Sequence, residues 1–383
     1  MLPDYLKRPI IDTETTKTVR RILKTKCLNT VCEGARCPNK SECYSHNTAT
    51  FLIMGKVCTR NCRYCNISPA RPEPLDLEEP KHVAEAVKEL GLKFAVITSV
   101  TRDDLPDGGA QHFKNCIDEI RKICDAKIEI LTPDMKGNTA ALDTIIKAHP
   151  DVFNHNIETV RSIFKTARPQ GDYDRSIEVL RYVKENSNIV TKSGLMVGLG
   201  ATHVDKWSAD NCLSTGLSCN DRSASACSST PIVSLKGATH VDKWSADNCL
   251  STGLSCNDRS ASACSSTPIV SLKGATHVDI GSADNHKTTC LSCNSESASM
   301  YSSEVEEIEQ TLVDLKNAGV DIITIGQYIQ PSKQHLPVAK YYTLEEFEEL
   351  KELARKIGFK NFQIGPLVRS SYHAMASYET SLK

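Results

Sequence analysis

Between Phe51 and Gly326, short runs of β-branched and apolar residues alternate with amphipathic stretches of helical period, the rhythm of βα units around a parallel sheet. The runs predict strands at 51–55, 94–99, 128–131, 152–155, 190–197 and 320–325. The stretches between them predict helices at 80–90, 109–124, 138–148, 174–186 and 303–318, the last with Val305, Ile308, Leu312 and Leu315 on one face and Gly319 as its stop. Six strands do not complete an eight-stranded barrel, so the pattern predicts an α/β fold built as a partial, open (βα)6 TIM-like barrel.

One segment departs from this rhythm. Residues 201–237 recur unchanged at 238–274, and a decayed third copy runs from Ala275 to about Ser302, a tandem repeat of period 37. Each copy is rich in Ser and poor in large apolar residues, so it has little hydrophobic area to set against the entropy of ordering it. The expectation is an unpacked insertion outside the barrel. The predicted organisation is an N-terminal extension (1–50), the barrel (51–200 and 303–358), the insertion (201–302) and a C-terminal segment (359–383).

Charge narrows the choice of partner. Lys and Arg number 46 against 47 Asp and Glu, so no global field draws the chain to nucleic acid or to an anionic membrane. The start of the chain lacks the apolar core of a signal peptide and no apolar run is long enough to span a bilayer, which points to a cytoplasmic protein. In that compartment 17 cysteines read as metal binding or catalysis before they read as disulfides.

Position matters more than number. Cys58, Cys62 and Cys65 form CxxxCxxC directly after the first predicted strand. Three thiolates on one short loop can ligate three irons of a cubane and leave the fourth open, whereas a zinc knuckle needs a fourth ligand to close it. Upstream, Cys32, Cys37 and Cys43 form a second group that also lacks a fourth ligand. Cys27, Cys116 and Cys124 read as small buried hydrophobes. The repeat cysteines (Cys212, Cys219, Cys227, Cys249, Cys256, Cys264, Cys290 and Cys293) have no compact ligand spacing beyond one CxxC and read as copied sequence.

The CTRNCRYC loop after a first strand resembles the radical S-adenosylmethionine superfamily. With TVCEGARCPN, SVTRDDLPDGGA, LTPD, PDVFNHNIETV, TKSGLMVGLG, GQYIQPS and GPLVRSSYHA in this order, residues 1–200 and 303–383 resemble the lipoyl synthase family. The resemblance implies a radical-SAM barrel, two 4Fe–4S clusters and S-adenosyl-L-methionine. It also implies insertion of sulfur at C6 and C8 of a protein-bound octanoyl chain, the sulfur coming from a sacrificial second cluster. Partners would be octanoylated lipoyl carrier domains of 2-oxoacid dehydrogenase E2 or the glycine cleavage H protein, with an electron donor such as ferredoxin or flavodoxin.

Carried residue by residue, the resemblance puts the radical cluster on Cys58, Cys62 and Cys65. The auxiliary cluster falls on Cys32, Cys37, Cys43 and a serine of RSSY, assigned to Ser371 with Ser370 as the alternative. Without the resemblance RSSY reads as a turn or cap. Candidates for the S-adenosylmethionine pocket at the strand ends are Tyr64, Thr101, Arg102, Asn154, Asn156, Glu158, Lys192 and Gly198. Each taken alone also reads as a packed or capping residue. The family continues GLG with Glu-Thr, whereas Ala201 stands here and the acidic helix resumes at Glu304. The residues therefore leave two other readings open, an impaired radical core carrying a repeat interaction segment, and another two-cluster sulfur-inserting enzyme such as a methylthiotransferase.

Overall fold

The computed structural model describes residues 2–9, 13–46, 48–200 and 304–382, and these form one compact unit. The repeats, Ala201 and the cysteines between Cys212 and Cys293 lie outside the described residues. The strands are β1 (Asn29–Thr30), β2 (Thr50–Ile53), β3 (Phe94–Ser99), β4 (Lys127–Leu131), β5 (Val152–Asn154), β6 (Val190–Val197), β7 (Ile322–Gln327) and β8 (Asn361–Ile364). They lie in one open sheet in sequence order, β1 antiparallel to β2 and every later pair parallel. Sequence order with parallel pairing is the winding of a barrel, and leaving β1 and β8 at opposite edges keeps it partial.

All six predicted strands are present, with the last shifted to begin at Ile322. The sequence pattern did not reveal β8, because only its two ends are buried and its centre is Phe362 and Gln363, so no apolar run marks it. At two residues, β1 is shorter than any periodicity can register.

The helices are α1 (Glu14–Thr25), α2 (Val31–Gly34), α3 (Lys40–Ser45), α4 (Glu79–Glu89), α5 (Ala110–Ile123), α6 (Thr139–Lys147), α7 (Arg161–Ala167), α8 (Tyr173–Asn186), α9 (Glu304–Asn317), α10 (Leu344–Ile357) and α11 (Ala374–Ser381). Local chemistry sets their ends. Asn138 and Asp172 accept a backbone N–H at the starts of α6 and α8, and Thr343 with Glu346 makes a reciprocal capping box on α10. On α9 the buried stripe is Ile308, Thr311, Leu312 and Leu315; Val305, predicted to join it, is exposed, one residue into the first turn.

Alternation along the strands separates two cores. Ala95 and Ile97 of β3 belong to the main core with the surrounding helices, while Phe94 and Val96 face the other way and pack with Val152 against Ala374 and Tyr378 of α11. The Phe94 and Tyr378 rings lie 5.8 Å apart. The C-terminal helix thus covers the concave face near the strand starts. Higher on that face, Lys192 and Glu129 are buried together, with Nζ 3.0 Å from Oε2, and Asn154 donates to the same carboxylate at 2.8 Å. The strand ends beyond this polar layer carry the cysteines.

Candidate active site

The loop from Cys58 to Cys65 is pinned from below and from both sides. Arg60, almost fully buried, forks onto Asp103 at 2.7 and 2.9 Å and reaches Asp134 at 2.6 Å, and Asp134 is held in turn by Arg175 at 2.9 Å. The Arg60 and Arg175 guanidinium groups hold the Asp134 carboxyl well below the usual carboxylate range despite its burial. Thr59 donates its N–H and hydroxyl to the Thr101 carbonyl, the Arg63 N–H bonds the Ala167 carbonyl, and His335 Nε2 lies 3.0 Å from the Cys65 carbonyl. Cysteines fixed by β3, α7 and the 328–340 loop at once have little freedom to splay.

This donor set suits an iron–sulfur cluster. Backbone N–H groups of Thr101 and Arg60 point at Cys58 Sγ from 3.3 and 3.4 Å, and that of Ile67 at Cys65 Sγ from 3.5 Å, the kind of bond that tunes cluster sulfur. Burial pushes the Cys65 thiol up to about 12, with Cys62 and Cys58 adding to the rise, and it raises Cys62 as well, against the pull of Arg168. Thiols held protonated in this way become thiolates when a metal takes the proton's place. Among the described residues no three His, Cys, Asp or Glu side chains converge on a single ion. A cubane does not require this, since its thiolates sit on different irons.

The upstream cysteines have their own support. Cys32 lies on α2, whose first turn is capped by Thr30, and the Thr30 hydroxyl is 2.9 Å from the buried Tyr44 hydroxyl. Cys43 lies on α3, and Cys37 in the loop between the two helices. Burial raises Cys32 to about 11 and Cys43 to about 12, Cys43 being raised further by Cys32 and Cys37.

The C-terminal RSSY segment runs between the two groups. On one side Asn39 donates to the Leu367 carbonyl at 2.7 Å, the Tyr372 hydroxyl to Glu42 at 2.7 Å, and Arg369 lies in the field of Cys37. On the other, Ser370 donates to Asn156 Oδ1 at 2.8 Å. Two glycines make room for it. A Cβ on Gly194 would stand 2.6 Å from both Asn156 Oδ1 and Ser370 Oγ, and one on Gly326 of the neighbouring strand would strike the Val368 carbonyl. Ser371, partly exposed, makes no hydrogen bond among the described residues.

The remaining predicted pocket residues divide. Tyr64, Asn156 and Glu158 meet: burial raises the Glu158 carboxyl, and Arg168, with Asn156 and Tyr64 beside it, opposes that rise. Thr101 touches the cluster loop. Arg102 instead forks onto Asp104 at 2.9 and 2.8 Å and reaches the Met54 carbonyl, while Asn154 and Lys192 bond Glu129. Gly198, at φ +86°, closes a turn so tight that a Cβ would strike Gln327 and the Lys340 carbonyl. Its N–H donates to Glu304 Oε1 at 2.8 Å, so a carboxylate does sit at this strand end, supplied from the far side of the repeats.

Sequence reasoning missed Arg168, which is buried with its guanidinium 3.1 Å from the Asn156 carbonyl and over the Phe164 ring. It also missed the anchor role of Asp134, although LTPD was among its motifs. A charged residue next to buried positions was the available signal for both.

The profile of the Radical SAM superfamily matches residues 52–209, which contain the CxxxCxxC loop. A lipoyl synthase of Caldanaerobacter subterraneus subsp. tengcongensis is 37% identical over 373 residues, covering 97% of this chain and 95% of that protein. The chain belongs to the lipoyl synthase family. Another member, from Rubrobacter xylanophilus, is 38% identical over 374 residues, covering 97% of this chain and 85% of its own. Among solved structures, methylornithine synthase (PylB) aligns over 97% of this chain and 81% of its own at 11% identity and a TM-score of 0.45. Lipoyl synthases are radical enzymes of iron–sulfur clusters and S-adenosylmethionine, and both cysteine groups described above fit such clusters. Among the described residues no helix is long and apolar enough to cross a membrane.

Proposed function

We propose that this chain makes lipoyl groups by inserting sulfur at C6 and C8 of an octanoyl chain carried on a lipoyl domain, with E2 subunits of 2-oxoacid dehydrogenases and the glycine cleavage H protein as carriers. Bound S-adenosylmethionine and a reduced cluster supply a carbon-centred radical that abstracts hydrogen, and a second cluster supplies the sulfur. Cys58, Cys62 and Cys65 hold the first cluster, and the N–H groups of Thr101, Arg60 and Ile67 stabilise the charge on its sulfur ligands. Tyr64, Asn156 and Glu158 bind and orient the cofactor, with Arg168 balancing the buried Glu158. Cys32, Cys37 and Cys43 hold the second cluster, with Ser371 as its oxygen ligand. Ser370 is committed to Asn156, which leaves Ser371 as the RSSY hydroxyl free to ligate. An oxygen ligand binds a cluster more weakly than a thiolate, which suits one that must give up sulfur.

The observation that carries this reading is the seam. The 367–372 segment touches the upstream cysteine group through Leu367, held by Asn39, and Tyr372, on Glu42, and the pocket of the radical group through Ser370. One segment therefore contacts residues beside both cysteine groups, as a substrate on which both clusters act would require. The carboxylate of Glu304 at Gly198 speaks against the impaired-core reading. The test is anaerobic reconstitution followed by incubation with dithionite, S-adenosylmethionine and an octanoyl-lysyl peptide. About eight irons per chain, as two cubanes require, together with lipoylated peptide is the expected result. Four irons would refute the second cluster, and eight irons with 5′-deoxyadenosine but unchanged peptide would refute the activity.

A further inference from the structure

The β1 edge of the sheet carries a surface pocket whose lining includes none of Tyr64, Asn156, Glu158 or the RSSY residues. Its floor is Leu52 and Ile67 with the backbone of Gly34, and its rim is Arg20, Lys24 and Lys56, all three exposed. Gly34 and Ile67 each follow a cysteine by two residues, Cys32 and Cys65, and the two segments are locked together here. Asn66 donates to the Gly34 carbonyl at 2.8 Å, and a Cβ on Gly34 would stand 2.7 Å from Ile67 Cδ1. The Ile67 N–H donates to Cys65 Sγ at 3.5 Å, so one residue separates the pocket floor from a radical-cluster ligand.

Two of these three cations are unmatched. Lys24 and Lys56 form no ion pair among the described residues, and the nearby carboxylate of Glu33 is already paired with Lys40 at 2.9 Å. The chain as a whole is close to neutral, so this cationic rim is a local feature. An acyl substrate would have to reach the concave face, where Ser370 and Asn156 meet, and would gain nothing at the sheet edge. An electron needs only a short path.

We propose that this pocket is the docking surface for an acidic one-electron carrier protein, which delivers the electron to the cluster on Cys58, Cys62 and Cys65 through Ile67 and Cys65. This rests on the radical reading given above. In the step, the carrier's flavin or iron centre is oxidised by one electron, the oxidised cluster is reduced by one, and no bond or proton changes place. Complementary charge sets the rate of encounter and its salt dependence more than the final affinity of a close contact.

The experiment uses the reconstituted full chain and the variant Lys24→Glu/Lys56→Glu, with flavodoxin as the acidic probe. Flavodoxin binding is measured by titration calorimetry at low and high salt, and cluster reduction by flavodoxin hydroquinone is followed by stopped-flow absorbance. Product formation with dithionite, which needs no docking, is the internal control. The double reversal should weaken binding at low salt by about 10-fold and slow reduction to match, converge with the parent at high salt, and leave the dithionite-driven rate unchanged. Unaltered binding overturns the proposal. So does an equal loss with dithionite, or a raised KM for the octanoylated carrier under dithionite, either of which would give the face to substrate. If the parent made no lipoyl product under dithionite, the function reading would fail while flavodoxin binding and its charge dependence would still judge the surface.

Discussion

Replacing Lys192 by Met separates two roles for a residue that its strand position marks as a cofactor contact. Lys192 and Glu129 are both buried, 3.0 Å apart at their closest, with Asn154 on the same carboxylate. At an effective dielectric of roughly 20, two charges at that distance attract by about 5–6 kcal/mol. Met fills the space but leaves the carboxylate with the Asn154 amide alone, and breaking one side of a buried pair costs about 3–5 kcal/mol. For a unit of roughly 280 residues that is a fall in Tm of about 5–8 °C. The double variant Lys192→Met/Glu129→Gln removes both charges and keeps an acceptor for Asn154, so it should recover most of the loss. Differential scanning calorimetry reads the melting points, and calorimetric titration of S-adenosylmethionine into the reconstituted protein reads affinity. A Tm within 2 °C of the parent, with cofactor affinity lowered instead, would refute the buried-pair argument and put Lys192 on the cofactor.

The remaining expectations concern three other places. Ser371→Ala should abolish lipoyl product while 5′-deoxyadenosine formation continues, and Ser370→Ala should raise the KM for S-adenosylmethionine with product chemistry retained; the opposite pattern, read by liquid chromatography of both products, would exchange the two serines. Burial, aided by Arg168, lowers the His155 pKa to about 4, so the folded protein refuses a proton that the unfolded chain accepts below about 6.5. Stability should therefore fall with pH between those values, by about 3 kcal/mol for this group, and His155→Gln should flatten that part of the urea-midpoint profile; parallel profiles for parent and variant would contradict this. Thr343→Ala removes one half of the α10 capping box and should cost about 1 kcal/mol in denaturant unfolding without changing the iron content, and no measurable cost would mean that the cap is redundant.

Strands announced themselves where a largely apolar run was buried on both sides, as in β2 and β3, and stayed silent where burial reached only the ends, as in β8. Both cysteine groups were legible from spacing because their chemistry is local to one loop or two short helices. The contacts around them were not. Ser370 meets Asn156 across 214 positions, and Asn39 meets Leu367 across 328, distances over which no period operates. Gly194 and Gly326 read as ordinary strand residues, and their use became apparent only when the chain that crosses above them was placed. Arg102 and Lys192 show the converse: the sequence put them at strand ends, but the protein's own carboxylates hold their charge.

The hydrogen bond from the Gly198 N–H to Glu304 also says something about how this gene could change length. It holds Gly198 and Glu304 beside each other, so a segment of any size spliced between them leaves and rejoins the barrel in nearly one place. The entropy of closing such a loop grows only with the logarithm of its length, each doubling costing about 0.6 kcal/mol. A duplication there leaves the register of β6, α9 and β7 untouched. That makes this turn a port at which the enzyme can accept a tag, a sensor or a second domain, and replacing 201–303 by a short linker should leave the barrel's melting temperature close to that of the parent.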